Sequence, residues 1–299
     1  MDNLLNINVL LLTFFNLIGI LILVFLKPLI RRDLLMNNTF IANGRINDTR
    51  IINNVFVKTA IRTEKNRHLR LARERWSLLI AKERGLRVPE VVDYYINDYE
   101  KEVLELQAIE GKSLSLFPLD IQAEVMKKVG LDLLKLKSVS KKFGWPSHET
   151  FDGEFNNWED FLYYFINRYG NRLIKHRILT KQEIEKLIDK LRKNNFSIRE
   201  SDLVHRDIKP SNIVFSKQSS EYWIVDWENT FLGEGIFDLA TYSGNYGRDN
   251  LWKMLAIGFG ENPIHSEKYL TYEKIALLGT IDFYRKHRLD YSEKIALFR

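Results

Sequence analysis

Two short apolar runs, each closing on a loop that carries an acid, constrain this chain more than any other feature. The first is Leu203-Val204-His205-Arg206-Asp207-Ile208-Lys209-Pro210-Ser211-Asn212-Ile213, with an acid straight after a strand-like pair and an Asn five positions further on. The second, Tyr222-Trp223-Ile224-Val225-Asp226-Trp227-Glu228, ends on Asp226, fourteen residues beyond Asn212. Strands bounded by polar loops hold such side chains at the ends of rigid elements, where groups can be positioned precisely. Three oxygen donors in this order and spacing are hard to obtain by chance.

One carboxylate for an acceptor hydroxyl, with an Asn and an Asp for a metal, is the equipment for moving a phosphoryl group from a magnesium nucleotide. In such a transfer the protein mainly positions reactants and neutralises charge. A chain of 299 residues, plentiful in aliphatic and aromatic side chains, is long enough for a large core, and disorder is not expected over most of it. It has no cysteine, which excludes disulfides, thiolate zinc sites and cysteine nucleophiles, so any metal must sit on oxygen or nitrogen.

From Val9 to Leu26 the sequence VLLLTFFNLIGILILVFL has 18 residues and no charge, just enough to cross a hydrocarbon core. The run is apolar all round, Lys27, Arg31 and Arg32 follow it, and no small-residue cleavage site closes it. Residues 1–35 therefore read as a single N-terminal transmembrane helix with its basic flank. Only Asp2 is charged before the span, so the positive-inside rule puts the rest of a single-pass membrane protein in the cytoplasm. Between Lys58 and Arg87, ten Lys/Arg face three Glu, enough to account for the formal net charge of +6. That basic stretch is either a solvated helix face or a surface for anionic lipid headgroups. Nucleic acid is not expected, because no aromatic residues interleave a basic motif there.

After the span, turn signals at Asn43-Gly44 and Asn47-Asp48 and the run Val55-Phe56-Val57 predict a hairpin region. Leu69, Ala72, Trp76, Leu79 and Ile80 recur at helical spacing until Gly85, and strands follow at 89–95 and 102–106. The order β-β-α-β-β describes a small lobe, residues 36–109. Beyond Gly111 the periodicity becomes helical, with stripes at Ile121, Val125, Val129 and Leu133, at 158–174, and at Ile184, Leu187, Ile188 and Leu191. Thr180 and Glu183 form a capping box. Residues 110–299 thus make a larger, mostly helical lobe around the two acid-bearing loops.

These motifs resemble the aminoglycoside phosphotransferase and choline kinase branch of the protein-kinase-like superfamily, from about Phe40 to the C-terminus. The resemblance implies an α+β bilobal protein-kinase-like fold that uses ATP and Mg2+ to phosphorylate a hydroxyl of a small-molecule or lipid-linked acceptor. Asp207 would be the catalytic carboxylate, and Asn212 and Asp226 the metal ligands. Lys58, at the end of a strand, would contact the α and β phosphates, with Glu74 on the next helix as its partner rather than Glu64 or Glu83. Glu105 and Leu106 fall where such kinases join their lobes and meet the adenine. Lys209 would reach the γ-phosphate, while His205 and Asp238 would brace the catalytic loop.

Two features depart from the pattern. Gly44 is the only glycine in Ala42-Asn43-Gly44-Arg45, so the full glycine-rich phosphate loop is missing. The loop also reads HRDIKPSN, closer to a Ser/Thr protein kinase than to the HGD form of many small-molecule kinases. A membrane-tethered protein kinase is therefore an alternative, opposed by the arrival of Asp238 only twelve positions after Asp226, which leaves no room for a long activation segment. A nucleotide-binding pseudokinase is a further alternative, although every charged catalytic position is filled.

Overall fold

The computed structural model describes residues 39–43, 47–61, 69–147, 150–260 and 266–299. The apolar run at residues 9–26 and Glu64 lie outside them. Among the described residues, no helix is long and apolar enough to cross a membrane.

Five strands form the small lobe: β1 (Thr39–Asn43), β2 (Asn47–Ile52), β3 (Val55–Ala60), β4 (Val91–Ile96) and β5 (Glu102–Gln107), antiparallel in the order β1-β2-β3-β5-β4. Three strands precede the helix, not two. Asn47 and Asp48, expected in a turn, open β2, and the second turn is Asn53-Asn54. Both have positive φ, 49° and 64°, as a two-residue hairpin of the primed type requires and as Asn tolerates better than most residues.

Helix α1 (Arg70–Glu83) buries Leu71, Glu74, Leu78 and Ala81 toward the sheet. Its start has no side-chain cap of its own, and Glu102 of β5 supplies one, accepting the Arg70 and Ala72 N–H groups at 3.1 and 2.9 Å. A carboxylate there satisfies orphan donors and complements the positive end of the helix dipole. The helix ends as predicted at Gly85, whose φ of +79° allows Gly85 and Leu86 to donate back to Lys82 and Ala81.

The large lobe contains α2 (Leu119–Leu133), α3 (Trp158–Lys175), α4 (Lys181–Lys193), α5 (Phe237–Tyr246), α6 (Asn250–Gly258), α7 (Glu267–Lys286) and α8 (Ser292–Phe298). Thr180 and Glu183 make the expected capping box on α4. A cluster of rings holds α3, α5 and α7 together: Trp158, Phe161, Phe165, Phe237 and Tyr272 are all under 2% exposed. The Trp158 indole N–H donates to the Tyr272 hydroxyl at 2.7 Å, so burial leaves neither polar end unmatched. Two small sheets lie against this helical core. β6 (Lys112–Ser113), β8 (Ile213–Ser216) and β9 (Glu221–Ile224) form one, and β7 (Asp202–Val204) pairs with β10 (Phe231–Gly233) in the other. The loop from β7 to β8 carries Asp207, and the loop from β9 to β10 carries Asp226.

Candidate active site

A cleft of about 660 Å³ runs between the small sheet and the helical lobe, a volume in the usual range for a nucleotide-sized ligand. Lys58, Glu74, Asp207, Lys209, Asp226 and Glu228 all line it. Lys58 is a buried residue inside β3, and its Nζ donates to both Glu74 oxygens, at 2.7 and 2.9 Å, and to Asp226 Oδ1 at 2.9 Å. Burial opposes its charge, but Glu74, Asp226 and Glu228 outweigh that and hold its pKa far above the ordinary lysine value. Lys58 is therefore a fixed cation. The same ammonium offsets the burial of Asp226 and holds that carboxyl below its ordinary value.

The catalytic loop is held from below. Asp238 of α5 accepts the His205 N–H at 3.1 Å and the Arg206 N–H at 2.5 Å. These bonds steady Arg206 in a left-handed conformation, φ 68°, that a residue of its size rarely adopts. Asp207 N–H donates to His205 Nδ1 at 3.2 Å, which leaves the imidazole proton on Nε2, 3.0 Å from the Val225 carbonyl. Burial holds His205 below its usual pKa, so it is a neutral strut joining the Asp207 loop to the residue before Asp226. Asp207 Oδ2 receives Lys209 Nζ at 2.7 Å and Asn212 Nδ2 at 2.9 Å, and Asn212 also donates to the Asp207 carbonyl at 2.9 Å. With its amide nitrogen so committed, Asn212 offers a ligand only through Oδ1.

The structure thus brings Lys58, Glu74, Asp207, Lys209, Asn212 and Asp226 to one place. Glu105 stands apart. It faces Val57 and Asp93 across β5, and its carboxylate accepts from the Tyr95 hydroxyl at 3.1 Å. Side chains alternate along a strand, so buried Leu104 and Leu106 turn inward and Glu105 does not. The cleft wall is made by Leu106, Gln107, Ala108 and Ile109, one residue later than expected.

Sequence reasoning missed Glu228, Asn47 and Trp227. Carboxylate oxygens of Glu74, Asp226 and Glu228 lie within 4.8 Å of one another, and Asn47 Nδ2 donates to Glu228 at 2.6 Å. Trp227 is fully buried with its ring centroid 4.5 Å from that of His205. An acid two residues past Asp226 was a visible signal for Glu228. No local pattern marks Asn47, which is 181 positions away.

A second cavity of about 240 Å³ adjoins the cleft and shares Asp207, Lys209, Asn229 and Phe283 with it. Its remaining wall comes from Arg206 and from α5, α7 and the turn after α7, including Asn245, Tyr246, Gly279, Thr280 and Tyr284. Asp207 therefore stands between two spaces, one large enough for a nucleotide and one for a compact second reactant.

A small antiparallel sheet with one helix, joined at Gln107 to a helical lobe that carries the catalytic loop, is the bilobal protein-kinase-like architecture. The phosphotransferase enzyme family model matches residues 38–277, and the chain belongs to that family. Among solved structures, a thermostable mutant of aminoglycoside phosphotransferase APH(4)-Ia, in ternary complex with ADP and hygromycin B, superposes with a TM-score of 0.71 at 12% identity, over 88% of this chain and 92% of that one. The GDP complex of aminoglycoside 2'-phosphotransferase-IIIa gives 0.62 at 12% identity, over 88% and 91%. A probable serine/threonine-protein kinase fnkB of Dictyostelium discoideum is 30% identical over 111 residues, 35% of this chain but only 19% of that protein's length.

Proposed function

We propose that this protein transfers the γ-phosphoryl group of Mg-ATP to a hydroxyl of a small-molecule or lipid-linked acceptor. The observation that carries the reading is the position of Asp207, on the boundary between the nucleotide-sized cleft and the smaller cavity. In the transfer the acceptor oxygen bonds to the γ-phosphorus, the bond from that phosphorus to ADP breaks, and the acceptor proton passes to the Asp207 carboxylate. Lys58, fixed by Glu74, meets the α and β phosphates, and Lys209 is placed for the γ-phosphate. Asn212 Oδ1 and Asp226 suit magnesium, since both are hard oxygen donors and the acids around Lys58 outnumber its single charge. Bound there, the ion would neutralise charge that builds on the phosphates during transfer.

A small acceptor is favoured over a protein because of the path from Asp226 to α5. Residues 227–236 contain one helical turn and β10, which is paired to β7, so no extended segment is left to seat a peptide. The HRDIKPSN loop and the kinase relative support the other reading, and one experiment separates the two. The full-length protein is given γ-labelled ATP and magnesium with polar-metabolite, lipid and protein fractions in turn. Label in a metabolite or lipid fraction, lost in Asp207→Asn, is the expected result. Label in protein alone, or label that survives Asp207→Asn, overturns it. The uncharged run at residues 9–26 supports membrane anchorage, for which retention in the pellet after alkaline carbonate extraction is expected, and release would refute it.

A further inference from the structure

The second cavity carries a charge that the proposed transfer leaves without a use. Arg206 lines it, one residue before Asp207, and no carboxylate among the described residues pairs with its guanidinium. The group sits instead 5.0 Å from the centre of the Phe165 ring and 6.0 Å from that of Phe231. On its third side is Gly279 of α7, where a Cβ would come within 2.6 Å of Arg206 Nη2. The helix has a glycine where any side chain would displace the guanidinium. Lys209, the other cation of the wall, is matched by Asp207 at 2.7 Å, so Arg206 leaves the cavity with one positive charge in excess.

The surroundings strengthen the sign. Burial pushes the Tyr169 phenol up, yet Arg206, Arg168 and Arg172 outweigh it and bring the phenol below its ordinary pKa. Behind Asn245, buried Lys294 donates to that residue's carbonyl at 2.6 Å, while its ion-pair partner Glu293 stands in solvent, 80% exposed. A half-buried cation under aromatic walls acts on a ligand with less screening than one in bulk water. Thr241, Thr280, Tyr246 and Tyr284 add hydroxyls to the lining, and Asp207 is its one acid.

Resting on the phosphotransfer reading above, we infer that the acceptor is a compact polyol already bearing an anionic group, phosphate or carboxylate, which Arg206 receives while a free hydroxyl turns to Asp207. A polycationic amino sugar is the wrong occupant: it would meet one acid, already paired, and a guanidinium that no carboxylate neutralises. The cavity's size also favours a small molecule, since about 240 Å³ lies below the usual range for drug-sized ligands.

Calorimetry on the ADP-saturated full-length protein tests this without turnover, using glycerol 3-phosphate, glycerol, kanamycin and phosphatidylglycerol vesicles, with phosphatidylcholine vesicles as control. Glycerol 3-phosphate or phosphatidylglycerol should bind at least tenfold more tightly than glycerol and kanamycin, and which of the two it is separates a free acceptor from a lipid-borne one. Arg206→Met should weaken the anionic probe at least tenfold and leave ADP affinity within twofold. Because Arg206 adjoins the catalytic loop, Gly279→Ala is the second variant: it favours the helix, moves only the tip of a flexible side chain, and should give the same loss. Kanamycin or glycerol binding as tightly as the anionic probes, no binding of either anionic probe, or wild-type binding in both variants overturns the inference. Failure of the phosphotransfer reading is seen elsewhere, in label transfer that Asp207→Asn does not change.

Discussion

Asn47, at the start of β2, and Glu228, two residues past Asp226, are joined by a hydrogen bond of 2.6 Å between Nδ2 and Oε2. Arg73 of α1 reinforces the link, donating to the Glu228 carbonyl at 3.0 Å, and Arg70 approaches the carboxylate at 3.8 Å. The sheet, the helix and the Asp226 loop of the other lobe therefore meet on one buried acid. Burial and the charge of Asp226 together raise the Glu228 pKa, a cost that persists only where the fold over-determines the position.

If Glu228 shares a divalent cation with Asp226, Glu228→Ala will weaken the hold on that cation more than the fold. A magnesium titration of phosphoryl transfer should require about tenfold more metal for half-maximal rate, the equivalent of roughly 1.4 kcal/mol. A curve that coincides with wild type would remove Glu228 from the metal site and leave it a link between lobes.

Lys58 answers three acids, so its removal has a structural cost as well as a chemical one. Lys58→Met leaves Glu74 and Asp226 uncompensated and should lower stability by about 3 kcal/mol in urea unfolding. Adding Glu74→Gln should recover at least about 1 kcal/mol, because one buried charge is then gone. Transfer should stay at least about a hundredfold down in both variants, since neutralising position 74 restores no cation for the phosphates. Recovery of activity in the double variant would show that Lys58 acts through the fold alone.

Much of this arrangement was legible because the residues concerned sit at ends of strands with short local motifs. One hairpin separates Asn212 from Asp226, Asp207 is in the loop before it, and Lys58 on β3 is only sixteen positions before Glu74 on α1. What escaped reading depends on tertiary contact. Glu105 and Leu106 are adjacent in sequence, yet the pleat sends one to Tyr95 and the other to the cleft. The turn at Asn53-Asn54 was hidden because Asn47-Asp48 carries equally good turn residues and nothing local chooses between them. The second cavity draws on Arg206, Tyr246 and Gly279, from three elements far apart in the chain, and no periodicity connects them.

Asp238 gives a pH-dependent signature. Burial pushes its carboxyl up to about 7, only partly offset by the two N–H groups it accepts. A raised carboxyl pKa means that the folded chain holds its proton more tightly than the unfolded one. Its contribution to stability is greatest near pH 4, falls as pH rises toward 7, and is level above that, by roughly 4 kcal/mol in all. Asp238→Asn does not titrate, so the stability difference between wild type and variant should shrink steadily from pH 5 to pH 7 in urea unfolding. A difference that stays constant across that range would mean that Asp238 is ionised throughout and that its two hydrogen bonds outweigh burial.

The contact of α2 with α6 gives the most demanding test of the packing. These helices cross at Gly130 and Gly258, where an added Cβ at 130 would lie 2.2 Å from the Leu255 carbonyl and one at 258 would lie 1.9 Å from the Lys127 carbonyl. The obstructing atoms are backbone, so no rotamer change can relieve them, and the helices must separate. Gly258→Ala should therefore destabilise the protein by about 2 kcal/mol despite the better helix propensity of alanine. Gly279→Ala meets only the end of the Arg206 side chain and should cost less than about 1 kcal/mol while changing ligand binding. Thermal unfolding of the two variants side by side checks the contrast. Equal stabilities would show that α2 and α6 can slide apart freely, and that their close approach is not what fixes the outer face of the large lobe.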